Sequence, residues 1–274
     1  MTEKKPLVIE NRWRDLRQFT DARIGLGRAG ISLPTSELLA FQLAHARARD
    51  AVHLPLDTAR LLDGLNSLGA RLPSPGPLRL QSRAADRQVY LQRPDLGRSL
   101  DAGSAAQLSA PDTAPAKPRL AIVIADGLSS CAVQNNAVPM LTRFLDDLEA
   151  SGADWDLAPL SIVEQGRVAI GDEIGERLGA SAVVVLIGER PGLSSPDSLG
   201  VYLTWAPCGG LNDARRNCIS NVRPAGLSFE NASQRLLYLL REAQRLGTSG
   251  VDIKDRTEEV AIGKTGNNQN FLTN

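Results

Sequence analysis

Six consecutive apolar residues, Ala182-Val183-Val184-Val185-Leu186-Ile187, limit the possible folds of this chain more than any other stretch. Their β-branched character favours a strand, and the lack of polar alternation implies burial on both faces, as inside a parallel sheet. Further strands are expected at 120–125, 156–163 and 201–205, with Pro159 marking an edge or a bulge in the second. Helical patterns lie between and after them, at 140–150, 168–178 and 229–246, the last stopped by Gly247. Alternating strand and helix predicts an α/β domain over 119–254, a doubly wound and mostly parallel sheet.

The region ahead of it, 1–108, reads as mainly helical. Apolar spacing suggests a helix at 15–24 that stops at Gly25. Thr35 or Ser36 can cap a second over 38–50, and Asp57 a third over 58–68. Pro73-Ser74-Pro75-Gly76-Pro77 is a break, and the short runs 78–80 and 88–91 alternate as strands or a hairpin would. Residues 109–118 read as a linker, and 255–274 as a polar tail that is frayed or waits for a partner.

Composition narrows the function. The chain has 31 basic and 31 acidic residues, so no net field draws it to nucleic acid. Aromatics at 4% argue against a stacking platform for single strands. No apolar run approaches the roughly 20 residues that span a bilayer. The three cysteines, Cys131, Cys208 and Cys218, lack metal-type spacing and fit reduced thiols in a cytoplasmic protein. With only His45 and His53 present, a structural zinc or a haem site lacks ligands.

Ligands of open α/β sheets sit beyond the carboxyl ends of the strands. Two loops stand there. Asp126-Gly127-Leu128-Ser129-Ser130 can bind a polar group or serve as an ordinary strand-to-helix turn. Gly188-Glu189-Arg190-Pro191-Gly192 brings adjacent opposite charges to the rim, as a ligand grip or as a solvated ion pair. A third cluster, Asn217-Cys218-Ile219-Ser220-Asn221, is expected as a loop before the last helix. Cys218 has no histidine within the α/β half to activate it, so packing or binding is favoured over attack. His45 and His53 either face a partner or, as is commoner for such residues, are surface or half-buried and inert. These residues amount to a binding module, or to half of a site that another chain completes.

At these motifs the chain resembles the small (light) subunit family of ethanolamine ammonia-lyase. The resemblance runs through 22–30 and 41–53, Tyr90-Leu91-Gln92-Arg93-Pro94-Asp95-Leu96-Gly97-Arg98, Ala125-Asp126-Gly127-Leu128-Ser129, Gly166-Arg167-Val168, Gly188-Glu189-Arg190-Pro191-Gly192-Leu193 and Asn217-Cys218-Ile219-Ser220-Asn221. It implies an adenosylcobalamin-dependent lyase that converts ethanolamine to acetaldehyde and ammonia. It further implies a large TIM-barrel subunit that holds the substrate, a higher hetero-oligomer, and a cobalamin site closed by this chain across the interface. Region 1–108 then becomes a partner-contacting region and 119–254 a cobalamin-binding domain. Three cobalamin contacts carry over through their motifs: Val168, Glu189 and Cys218; no catalytic or metal-ligating residue does. No Asp-x-His-x-x-Gly motif is present, so the resemblance implies that cobalamin keeps its own base on cobalt. Some relatives carry a longer N-terminal extension that directs packing into a bacterial microcompartment, and the lead before Trp13 is short here.

Overall fold

The computed structural model describes residues 7–111 and 116–254. The expected tail at 255–274, the centre of the linker at 112–115 and the first six residues lie outside them. In chain order the elements are α1 (Thr35–His53), α2 (Thr58–Asn66), β1 (Leu78–Gln81), α3 (Arg87–Gln92), α4 (Ala102–Ala105), β2 (Arg119–Ala125), α5 (Ser130–Ala150), β3 (Asp156–Leu157), β4 (Ser161–Glu164), α6 (Ile170–Arg177), β5 (Ala182–Gly188), β6 (Leu199–Trp205), β7 (Arg216–Val222) and α7 (Phe229–Leu246).

The strands form one mixed sheet in the order β1-β4-β2-β5-β6-β7, with β3 also beside β2. Every pairing from β1 to β5 is parallel, and β6 and β7 are added antiparallel. This is the α/β, mostly parallel architecture that the run at 182–187 predicts. That run is β5, buried along its whole length between two strands and two helical layers. β1 precedes the 109–118 stretch, so the N-terminal region supplies one edge of the sheet.

Alternate residues of β2 and β5 point to opposite faces. Leu120, Ile122, Ile124, Val184 and Leu186 pack on one side under α2, α5 and α7. Ala121, Val123, Val183, Val185 and Ile187 pack on the other under α6. Helix α6 lies over β2 and β5 and reaches β6 and β7 at their Thr204–Arg216 end through Asp172; toward Tyr202 and Cys218 the same face opens, with Cys218 exposed.

Several local expectations need correction. The segment at 88–91 is not a strand but lies in α3. Asp86 caps it by accepting from the Val89 N–H at 2.8 Å, and the turn swings Tyr90 fully inside. The helix expected at 15–24 is a 3-10 turn, Arg12–Gln18, with no buried residue to reward a longer one. Arg17 instead donates to the Ile24 carbonyl at 2.7 Å and pairs with Glu37 at 2.9 Å, folding the chain back. The helix expected from 140 begins at Ser130 and runs through Pro139. Its buried stripe, including Val133, Ala137, Met140, Leu141 and Phe144, outweighs the one backbone bond that proline removes. The expected strand at 156–163 is broken at Pro159 into β3 and β4, whose registers with β2 differ by one residue. Finally, 217–221 is not a loop but most of β7, the outer edge strand.

Residues 7–54 are built differently. Alpha helix α1 buries only Ala51. Trp13, Phe19, Ile31, Leu39 and Leu43 all stand exposed. Among the described residues, no helix is long and apolar enough to cross a membrane.

Candidate functional site

Strands β2, β4 and β5 run parallel, so their carboxyl ends deliver three loops to one edge of the sheet. The backbones of two of these loops touch. Gly127 has φ +59, and a Cβ there would lie 2.2 Å from the Gly188 carbonyl oxygen. A Cβ on Gly188 would in turn lie 2.0 Å from the Ser129 oxygen, so neither position admits a side chain. Leu128 N–H donates to the Gly188 carbonyl at 2.9 Å and locks the pair.

Asp126 ties in the third loop. Its buried carboxylate accepts from the Gln165 N–H at 2.9 Å and the Gly166 N–H at 3.0 Å, and sits 3.4 Å from Arg87 Nη1. The same Nη1 donates to the Gly127 carbonyl at 2.7 Å, and Arg87 Nε to the Val52 carbonyl at 2.6 Å. Burial lifts the Asp126 pKa from 3.8 to about 6, against the pull of Arg87 and the backbone donors. Of the two roles open to this loop, ligand grip and turn, the geometry gives Asp126 the second. Its oxygens are spent on holding 165–168 in place.

Beneath lies Tyr90. Its ring is sandwiched between two guanidinium groups, Arg87 at 4.8 Å and Arg167 at 4.1 Å, and its hydroxyl donates to the Gly166 carbonyl at 3.2 Å. Burial raises its pKa and keeps the phenol protonated. This stack delivers Val168 to the rim, where it precedes α6 and is half-buried.

Glu189 leaves β5 on the face that opens toward Tyr202 and Cys218. Its carboxylate accepts from the Ser198 and Ser220 hydroxyls and from the Asn221 N–H at 3.1 Å. A single side chain thus joins the end of β5 to β6 and β7. Gly200 makes room for it, since a Cβ there would stand 3.1 Å from Glu189 Cγ and Oε1. The carboxylate is held ready, with lone-pair capacity left on Oε1. Arg190 beside it is exposed and forms no ion pair with Glu189.

Val168 and Glu189 line one open cleft of about 380 Å³, together with Tyr90, Leu128, Arg190 and Tyr202. Cys218 does not line that cleft. It lies on β7 directly opposite Tyr202, on the same face of the sheet, and is exposed. Burial pushes its thiol up, against a lowering hydrogen bond to Tyr202 and with the help of the Glu189 charge, so it stays neutral. The three residues singled out in the sequence therefore share one face, Val168 and Glu189 in the cleft and Cys218 one strand further out. His45 and His53 are exposed on α1.

Tyr90, Arg167, Tyr202 and Ser198 stand outside the loops and clusters that composition marks, and Ser220 lies inside the third cluster with no role of its own assigned there. A signal for Tyr202 does exist in the alternation of β6, where Gly200, Tyr202 and Thr204 face away from Leu199, Val201 and Leu203. The serines carry no local signal, because their role depends on pairing across strands.

The family model described as ethanolamine ammonia-lyase light chain (EutC) matches residues 10–254. The ethanolamine ammonia-lyase small subunit of Azotobacter vinelandii is 56% identical over 274 residues, covering 99% of this chain and 98% of that one. The small subunit of Ralstonia nicotianae is 56% identical, covering 97% and 95%. That of Pseudomonas aeruginosa is 57% identical, covering 96% and 94%.

Proposed function

The chain belongs to the ethanolamine ammonia-lyase light chain family, and on that premise we propose that it forms one wall of an adenosylcobalamin site whose other wall is a large catalytic subunit. The assembled enzyme is an ammonia lyase that converts ethanolamine to acetaldehyde and ammonia. The observation that carries this reading is one open cleft lined by Val168, Glu189 and Tyr202, with Cys218 directly opposite Tyr202 on the same face and the Glu189 carboxylate already held in place.

The residues fit such a ligand. Drug-sized molecules fill pockets of roughly 300–1,000 Å³. A corrin with its side chains is larger, so an open cleft of about 380 Å³ can take only its edge. The corrin rim carries amides, which donate to a carboxylate such as Glu189. Val168, the Cys218 thiol and the Tyr202 ring offer close apolar contact. When bound, adenosylcobalamin supplies radical chemistry that amino-acid side chains do not. The chain's own task is to orient the cofactor, shield it from water and leave its reactive face to the partner.

The exposed apolar side chains of 7–54 support a large partner. Monomeric proteins rarely leave contiguous apolar patches of more than a few hundred Å² in water. Trp13, Phe19 and Ile31 are 67%, 75% and 105% exposed. These residues are proposed to bury against the large subunit.

Co-expression with a large TIM-barrel subunit tests the reading. Ammonia release from ethanolamine is expected only with both chains and added adenosylcobalamin. A complex that forms and loads cobalamin yet leaves ethanolamine untouched would overturn the substrate assignment.

A further inference from the structure

A second, larger groove of about 1180 Å³ borders the cobalamin cleft and shares Arg167 and Val168 with it. Its wall contains both acids and arginines, but their pairing is uneven. Every carboxylate is engaged: Asp95 by Arg93, Asp172 and Asp213 by Arg216, Glu173 by Arg177, and Glu176 by the Gly209 N–H at 2.9 Å. Three arginines are not so matched. Arg83 and Arg98 make no side-chain hydrogen bond or ion pair among the described residues. Arg167 reaches only the Tyr90 carbonyl and ring, and its buried Nε has no partner.

Backbone bonds bring these three together. Arg83 N–H donates to the Ser99 carbonyl at 2.9 Å, and Arg167 N–H to the Gly97 carbonyl at 2.7 Å, so Arg98 stands between the other two. Gly97 allows the approach, since a Cβ there would lie 2.9 Å from Arg167 Cγ. Three guanidinium groups on one groove wall, none of them paired with a carboxylate, suit an oxyanion, which such groups grip through paired N–H donors. The ligand proposed for the adjoining cleft has neutral amide side chains and one fixed anion, the phosphodiester of its nucleotide tail.

We propose that Arg83, Arg98 and Arg167 form a phosphate subsite that holds this phosphodiester. The assignment rests on the cobalamin reading above, and it gives the Arg98 end of the motif at 90–98 a role in a groove that Glu189 and Cys218 do not line.

The test uses the complex with the large subunit and follows ligand binding at equilibrium. Two ligands are compared: adenosylcobalamin, and adenosylcobinamide, which lacks the nucleotide tail. Arg83→Gln and Arg98→Gln change exposed side chains, so the fold should tolerate them. Each is expected to weaken adenosylcobalamin roughly tenfold, the scale of a lost charge-assisted bond, and to leave adenosylcobinamide unchanged. Inorganic phosphate should compete with adenosylcobalamin in the wild type and less so in Arg98→Gln. Equal weakening of both ligands, or failure of the variants to assemble, overturns the subsite. Phosphate binding that needs Arg98 while cobalamin affinity stays unchanged marks a free-phosphate site and overturns the tail assignment. A wild-type complex that binds no cobalamin overturns both readings; one that binds it with indifferent variants overturns the subsite alone.

Discussion

Asp126→Ala is expected to lose about 3–5 kcal/mol of folding stability, the range for removing one partner of a buried ion pair. The Asp126 side chain is 2% exposed and that of Arg87 11%. Deleting the carboxylate leaves the Gln165 and Gly166 N–H groups without acceptors and strips Arg87 of its counter-charge. The loop at 165–168 then loosens, so cobalamin affinity should fall along with stability. Asp126→Asn keeps one acceptor oxygen and should fall between Ala and wild type.

The pH dependence separates the carboxylate from general damage. Its folded pKa, about 6, lies above the ordinary 3.8. The native state therefore holds this proton more tightly than the unfolded chain does. The stability from this group is fully present below about pH 4 and is lost as pH rises through about 6. Chemical denaturation across that window should show wild type losing ground relative to Asp126→Asn as pH rises. A gap between the two that is constant with pH, or that widens, would contradict the assignment.

Glu189→Ala is expected to weaken adenosylcobalamin binding by the assembled enzyme about 10- to 100-fold, at roughly 1.5–3 kcal/mol for hydrogen bonds to a charged acceptor. Two losses combine. On the proposed reading the corrin loses an acceptor, and Ser198, Ser220 and Asn221 lose the group that aligns β5 with β6 and β7. The fold should suffer less, because Ser220 and Asn221 are exposed and water can replace the carboxylate. Glu189→Gln keeps the shape and one oxygen, and should recover part of the affinity. Equilibrium titration of the three proteins decides the matter. Unchanged affinity in Glu189→Ala would make the residue a strand clamp and nothing more.

Much of the framework was legible because its causes are local. A run of β-branched residues makes β5 a buried strand wherever it is placed, and Gly247 ends α7 at the expected residue with φ +66. The loops at the ends of β2 and β5 were legible for the same reason. What stayed hidden depends on partners distant in sequence. β7 looks like a loop because Asn, Cys and Ser are weak strand formers, and only pairing with β6 makes it a strand. The donors to Glu189 lie 9, 31 and 32 residues away. Asp126 looked equally suited to ligand or turn until its bonds to residues 39 and 40 positions on were known. The motif resemblance pointed to Val168, Glu189 and Cys218, but only the folded sheet brings Val168 and Glu189 to one cleft beside Tyr202 and sets Cys218 opposite Tyr202.

The central claim is that this chain supplies one wall of a site completed by another chain. Equilibrium dialysis of adenosylcobalamin against this chain alone, the large subunit alone and the two together tests it most directly. Strong retention by the mixture and weak retention by either chain alone is the expected result. Retention by this chain alone as tight as that of the mixture would contradict it.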